Sequence, residues 1–102
     1  MRILLLLVLI TGYCDDSCGK SIDHPAYGIM ANGEQTYYGA IACPPEWEFG
    51  TIVIVPELGV FRCADRGHLR DNHIDIWYPT CEKAIDWGVR KQTVMVIERR
   101  QP

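Results

Sequence analysis

The chain has 102 residues and a formal charge of −3, with 48% hydrophobic and 23% charged residues. The length fits one domain, and the composition excludes a disordered chain. The acidic balance argues against a broad basic nucleic-acid face, so no nucleic acid is expected as a partner.

Residues Ile3 to Ile10 are all Ile, Leu or Val, with Arg2 before them and Thr11-Gly12 after. A positive start, a short apolar run and small residues describe a secretory signal peptide over residues 1–12. The run has eight residues, short of the about 20 a membrane-spanning helix needs. Tyr13 directly before Cys14 argues against a lipoprotein. The same run also reads as a buried first strand. Both readings stay open, and the membrane enters only through such a signal or anchor. Cleavage after Gly12 would remove Arg2 and leave a charge of −4.

Residues 14–39 are turn-rich, and Asn32-Gly33 is a hairpin signal, since both residues tolerate positive φ. Four later segments read as strands: Thr51–Val55, Gly59–Ala64, His73–Tyr78 and Thr93–Glu98. The first is β-branched throughout, and Leu58-Gly59 is the expected turn to the second. The third alternates strictly, with Ile74, Ile76 and Tyr78 on one face and His73, Asp75 and Trp77 on the other. One short helix is expected after Pro79-Thr80, with Thr80 as its cap. Cys81, Ala84 and Ile85 would share its packed face, and Gly88 would stop it. There is no repeat, linker or second domain. The tally is mostly β with one short helix, which suggests a closed barrel of short strands.

Asp75 lies inside the alternating strand with Trp77 two residues on, facing the same way. A carboxyl beside an indole on a rigid strand suits a sugar subsite: the ring stacks on the sugar and the acid handles protons. Partial desolvation would raise the carboxyl pKa and favour its acid form. Pattern alone favours reading Asp75 as simply the polar half of an amphipathic strand, and Asp65-Arg66-Gly67 reads likewise as a plain turn.

Three ordered stretches carry a resemblance. Tyr27-Gly-Ile-Met-Ala-Asn-Gly33 is similar to Gly-Ile-Thr-Ala-Ser-Gly. Ile41-Ala-Cys-Pro44 with Phe49-Gly-Thr51 is similar to Val-Ala-Val-Asp-Pro with Leu-Gly-Thr. Ala64-Asp-Arg-Gly67 with Asn72-His-Ile-Asp-Ile76 is similar to Asp-Thr-Gly-Gly with Asn-Arg-Ile-Asp. Ala84–Arg90, Val94-Met-Val96 and Thr11-Gly-Tyr-Cys14 follow the same pattern. Together they resemble the 3D domain, named for three aspartates, over nearly everything after residue 10.

The resemblance implies a six-stranded double-psi β-barrel over residues 13–102, related to the catalytic barrel of membrane-bound lytic transglycosylase A. It implies a secreted or cell-envelope protein that cleaves the MurNAc–GlcNAc bond of peptidoglycan glycan strands. Asp75 matches the acid/base aspartate and Asp65 the middle one. Gly67 sits in the motif, and Trp77 and Tyr38 are the expected sugar contacts. A lytic transglycosylase uses the substrate's own C6 hydroxyl rather than water, so one carboxyl can serve as acid and then base. Two neighbouring carboxylates raise one pKa. The departures are Cys43 at the first aspartate and His68 at the second glycine. They leave a glycan-binding barrel without activity as the alternative.

Five cysteines in a short chain suggest an oxidising compartment. Cys14 and Cys18 are close enough to pair across a turn. In the family frame Cys43 and Cys63 would cross-link two barrel segments beside the site, with Cys63 on Asp65's face. Cys81 would then be a buried thiol. Cys63, Asp65, His68, His73 and Asp75 fall within thirteen positions, but clean paired zinc spacing is missing. No metal site is expected, and the histidines read as loop and surface residues. No nucleotide loop or dinucleotide fingerprint is present, so no organic cofactor is expected.

Overall fold

The computed structural model describes residues 1–17 and 19–98. Its strands are β1 (Arg2–Tyr13), β2 (Ala40–Cys43), β3 (Ile52–Val55), β4 (Gly59–Arg66), β5 (His73–Trp77) and β6 (Arg90–Glu98). One helix, α1 (Cys81–Trp87), lies between the last two. The strands close into a barrel in the order β1–β5–β2–β4–β3–β6. The β1–β5 and β2–β4 pairs are parallel, and the other contacts are antiparallel.

The apolar opening run is β1, which passes through residue 12 without a break. It is buried on one face rather than both. Val8 and Ile10 point into the core, while Ile3, Leu5 and Leu7 are exposed. This is the period-two alternation of a strand with one wet face. Residues 2–10 pair with β6, and residues 9–13 pair with β5. The long strand therefore joins both parts of the barrel wall.

The interior takes alternate residues from every strand: Val53 and Val55, Phe61 and Cys63, Ile74 and Ile76, Val94 and Val96. β2 supplies Ile41 and Cys43. This strand has four residues, all buried, and is absent from the strands expected from alternation. Burial on both faces removes the polar half of the pattern.

The turn between β3 and β4 is centred on Pro56 and Glu57, not Leu58-Gly59. The Leu58 amide donates to the Val55 carbonyl at 3.0 Å, and Glu57 has φ 67°. The Asn32-Gly33 turn is present, with Gly33 N–H donating to Met30 O at 2.9 Å and Ile29 bridged to Gln35. α1 is capped as expected: Thr80 accepts from the Lys83 amide, and Gly88 (φ 72°) follows Trp87. Its packed face differs. Ala84 is buried, but Ile85 is 77% exposed, and Trp87 packs on the core instead. The Trp87 indole N–H also donates to the Ile10 carbonyl at 3.1 Å. Gly12 leaves room for this seating, since a Cβ there would lie a tight 3.1 Å from the Ala84 carbonyl oxygen and from the Tyr78 ring.

Two disulfides cross-link the fold. Cys43 and Cys63 pair between β2 and β4 with Cα atoms 5.8 Å apart. Cys14 pairs with Cys81, not Cys18, with Cα atoms 5.0 Å apart across a sequence separation of 67. The bond ties the end of β1 to the start of α1. Cys81 is thus not a buried thiol, and Cys18 lies outside the described residues. Two intramolecular disulfides fit an oxidising environment.

Candidate functional site

The outer faces of β1, β5, β2 and β4 bring the candidate residues together. Ala42 of β2 is in register with Asp75 of β5 on one side and Asp65 of β4 on the other. Side chains in register share a sheet face, and neighbouring strands lie about 4.8 Å apart. The two aspartates therefore flank one methyl group, with Cα atoms roughly 10 Å apart by that spacing.

Asp65 reaches this face only because β4 is irregular. Ile41 pairs with Cys63, but the next residue, Ala42, pairs with Asp65. Ala64 is the extra residue, a β-bulge that shifts the pleat by one. Cys63 and Asp65 consequently point to opposite faces, contrary to the simple alternation expected. The Cys43–Cys63 disulfide lies inside the barrel, with both residues fully buried, behind the carboxylates rather than beside them.

Asp65 is held by three donors. Its Oδ2 accepts from the Tyr13 hydroxyl at 2.7 Å. Its Oδ1 accepts from the amides of Ala31 at 2.9 Å and Arg66 at 2.8 Å. The Ala31 bond, with Asn32 N–H donating to the Ala64 carbonyl at 3.1 Å, docks the 28–33 turn onto β4. With both oxygens engaged, the Asp65 carboxylate is fixed in orientation.

Asp75 is held differently. Thr11 of β1 is in register with it, and the Thr11 hydroxyl donates to Asp75 Oδ1 at 3.0 Å. The same Thr11 oxygen lies 2.9 Å from His73 Nε2. An imidazole protonated at Nε2 would donate to Thr11, which passes its own proton toward Asp75. His73 is therefore a half-buried strand residue, not a surface one, and burial lowers its pKa below the ordinary imidazole value. Burial pushes the Asp75 carboxyl up to about 6; the Thr11 hydroxyl pulls against this, and the charge of Asp65 adds to it.

Trp77 joins this face but offers no open ring. It is 9% exposed and packed with Tyr13 and Ala42 under Leu69. Its indole N–H donates to Asp15 Oδ1 at 2.9 Å. Trp77 thus desolvates the site instead of presenting a sugar platform. Tyr38 is half exposed but belongs to another cluster, 5.7 Å from the Phe61 and Tyr78 ring centres. Gly67 is exposed just after β4, beside Leu69, with a backbone that does not demand glycine.

Two depressions involve residues of this region, one reaching His73 and the other Asp65; Asp75 lines neither. A shallow one of about 500 Å³ is lined by His68, Arg70, Asn72 and His73. A smaller one of about 90 Å³ is lined by Tyr13, Asp65 and Arg66. Leu69 covers the surface of Tyr13, Ala42 and Trp77. Among the described residues, no three His, Cys, Asp or Glu side chains are grouped to hold a metal ion.

Thr11, Tyr13, Ala42 and His73 complete a site that the sequence reading built on Asp65, Asp75 and Trp77. The Thr-x-Tyr spacing was the available signal, because residues two apart on a strand share a face. No protein-family model matches the chain, and no curated protein matches it.

Proposed function

We propose that the chain is a 3D-type double-psi barrel that cleaves the MurNAc–GlcNAc bond of peptidoglycan outside the cytoplasm. The two parallel pairs, β1–β5 and β2–β4, support the double-psi reading of the closed barrel. The observation that carries the activity is the Asp75 carboxyl: desolvated, raised to about 6, and facing a second carboxylate across Ala42. A carboxyl tuned this way holds a proton up to about pH 6 and can deliver it.

In this reading Asp75 protonates the glycosidic oxygen as the C1–O bond breaks. The C6 hydroxyl of the same MurNAc then bonds to C1 and gives its proton to the Asp75 carboxylate. The product is a 1,6-anhydro sugar, no water is consumed, and Asp75 ends protonated as it began. Asp65 keeps the Asp75 proton in place by charge, and Thr11 fixes the carboxyl's orientation.

The test is digestion of purified sacculi with the oxidised protein and with Asp75→Asn, read by mass spectrometry. Anhydro-muropeptides from the wild type and none from the variant are expected. A wild type that binds sacculi and releases nothing would establish a glycan-binding barrel instead.

A further inference from the structure

A third cavity is lined by neither aspartate. Its volume is about 300 Å³, at the lower end of the range for small-molecule pockets. β1 contributes Leu4 and Leu6 to this cavity and Thr11 to the aspartate site. The five steps from Leu6 to Thr11 correspond to roughly 16 Å along the strand.

The cavity combines three features. Leu4, Leu6 and Val96 give it an apolar wall continuous with the barrel core. Trp47, in the segment between β2 and β3, adds an aromatic surface. Glu46 and Glu48 flank that tryptophan and line the same space. Neither carboxylate makes an ion pair among the described residues. The cation present, Arg2, is already joined to Glu98 at 2.8 Å. Three carboxylates against one guanidinium leave the lining at −2.

An anion would be repelled here, and a purely apolar molecule would leave the negative charge unanswered. A cation on an aliphatic stem satisfies every part. The stem lies on the leucine and valine wall. The ammonium meets the carboxylates and the indole face, which attracts cations through its quadrupole. We infer that this cavity, lined by Leu4, Leu6, Trp47, Val96, Glu46 and Glu48, binds an alkylammonium group. The group can come from a free aliphatic amine or from a lysine-type side chain of a peptide. Binding needs neither Asp65 nor Asp75, so it stands or falls apart from glycan cleavage.

The experiment is an NMR titration of the oxidised full chain with n-hexylammonium, 1-hexanol and hexanoate, followed at the Trp47 indole N–H and the Leu6 and Val96 amides. Saturating shifts are expected with hexylammonium, with affinity at least fivefold above hexanol and no response to hexanoate. Glu46→Gln/Glu48→Gln is expected to lower hexylammonium affinity about tenfold and leave hexanol binding unchanged. Nα-acetyl-lysine methylamide distinguishes the sources. Shifts at the same resonances assign the peptide side chain, and silence beside a hexylammonium response assigns the free amine. Hexanol binding as tightly as hexylammonium, an unchanged affinity in the double variant, or no saturating shift with hexylammonium would overturn the inference.

Discussion

Thr11 and Asp75 meet across the β1–β5 pair, where the Thr11 hydroxyl donates to Asp75 Oδ1 at 3.0 Å. The bond stabilises the ionised carboxylate, yet the carboxyl remains raised to about 6 because burial outweighs it. Ionisation of Asp75 therefore works against the fold. Its folded pKa lies above the unfolded 3.8, so the stabilising contribution is full below about 4 and lost as pH rises through about 6. Asp75→Asn should raise stability at pH 7.5, on the order of 2–3 kcal/mol at most, with little change at pH 3.5. Urea midpoints at the two values check this.

Activity should follow the same proton. The proposed first step needs protonated Asp75, so kcat/KM should fall as pH rises through about 6. Thr11→Val removes a bond that favours the carboxylate and should move the falling limb to higher pH. Asp65→Asn removes a repelling charge and should move it to lower pH. Opposite displacements in a pH–rate profile are the expected signature; displacement in one common direction would contradict the assigned causes.

The disulfides should contribute unequally. Loop closure over a separation of 67 predicts about 4 kcal/mol for Cys14–Cys81, against about 3 kcal/mol over 20 residues for Cys43–Cys63. The second bond also fills the interior, so Cys43→Ala/Cys63→Ala should lose packing in addition. Denaturant unfolding of each double-alanine variant gives the two numbers. Unreduced peptide mapping should join residue 14 to 81 and 43 to 63.

Glu57 holds φ 67° at the centre of the β3–β4 turn. A left-handed conformation costs an L-residue about 1–2 kcal/mol, and glycine avoids that strain. Glu57→Gly should stabilise the protein by about 0.5–1 kcal/mol after the entropy glycine adds to the unfolded chain, measurable as a higher Tm.

Gly12→Ala should act in the other direction. Its Cβ would meet the Ala84 backbone oxygen and the Tyr78 ring at 3.1 Å, so α1 and that ring would shift by a few tenths of an ångström, at a cost of about 1 kcal/mol. Fluorescence of Trp87, whose indole is bonded to Ile10, should report the displacement.

Much of the wall was legible where alternation is clean. His73–Trp77 shows its two faces directly, and Thr80 and Gly88 mark the helix ends by chemistry local to each residue. β2 was hidden because Ala40–Cys43 is buried throughout and carries no polar half. Ile85 misled because a two-turn helix packs on a narrow stripe, here taken by Ala84 and Trp87. The Cys14–Cys81 bond spans most of the chain, and no local spacing encodes it. Asp65 and Asp75 could be named from sequence, but the Thr11 and Tyr13 partners come from strand register, which depends on the closed barrel.

Ala64 separates two jobs that a regular pleat would tie together. Were Ala64 paired in its own place in the ladder, positions two apart would both look inward or both outward, so a cysteine at 63 would drag an aspartate at 65 into the apolar interior. Shortening the chain by Ala64 would leave Asp65 still turned outward, now as the direct successor of Cys63. What such a deletion would forfeit is the anchorage of the 28–33 turn through the Ala64 carbonyl.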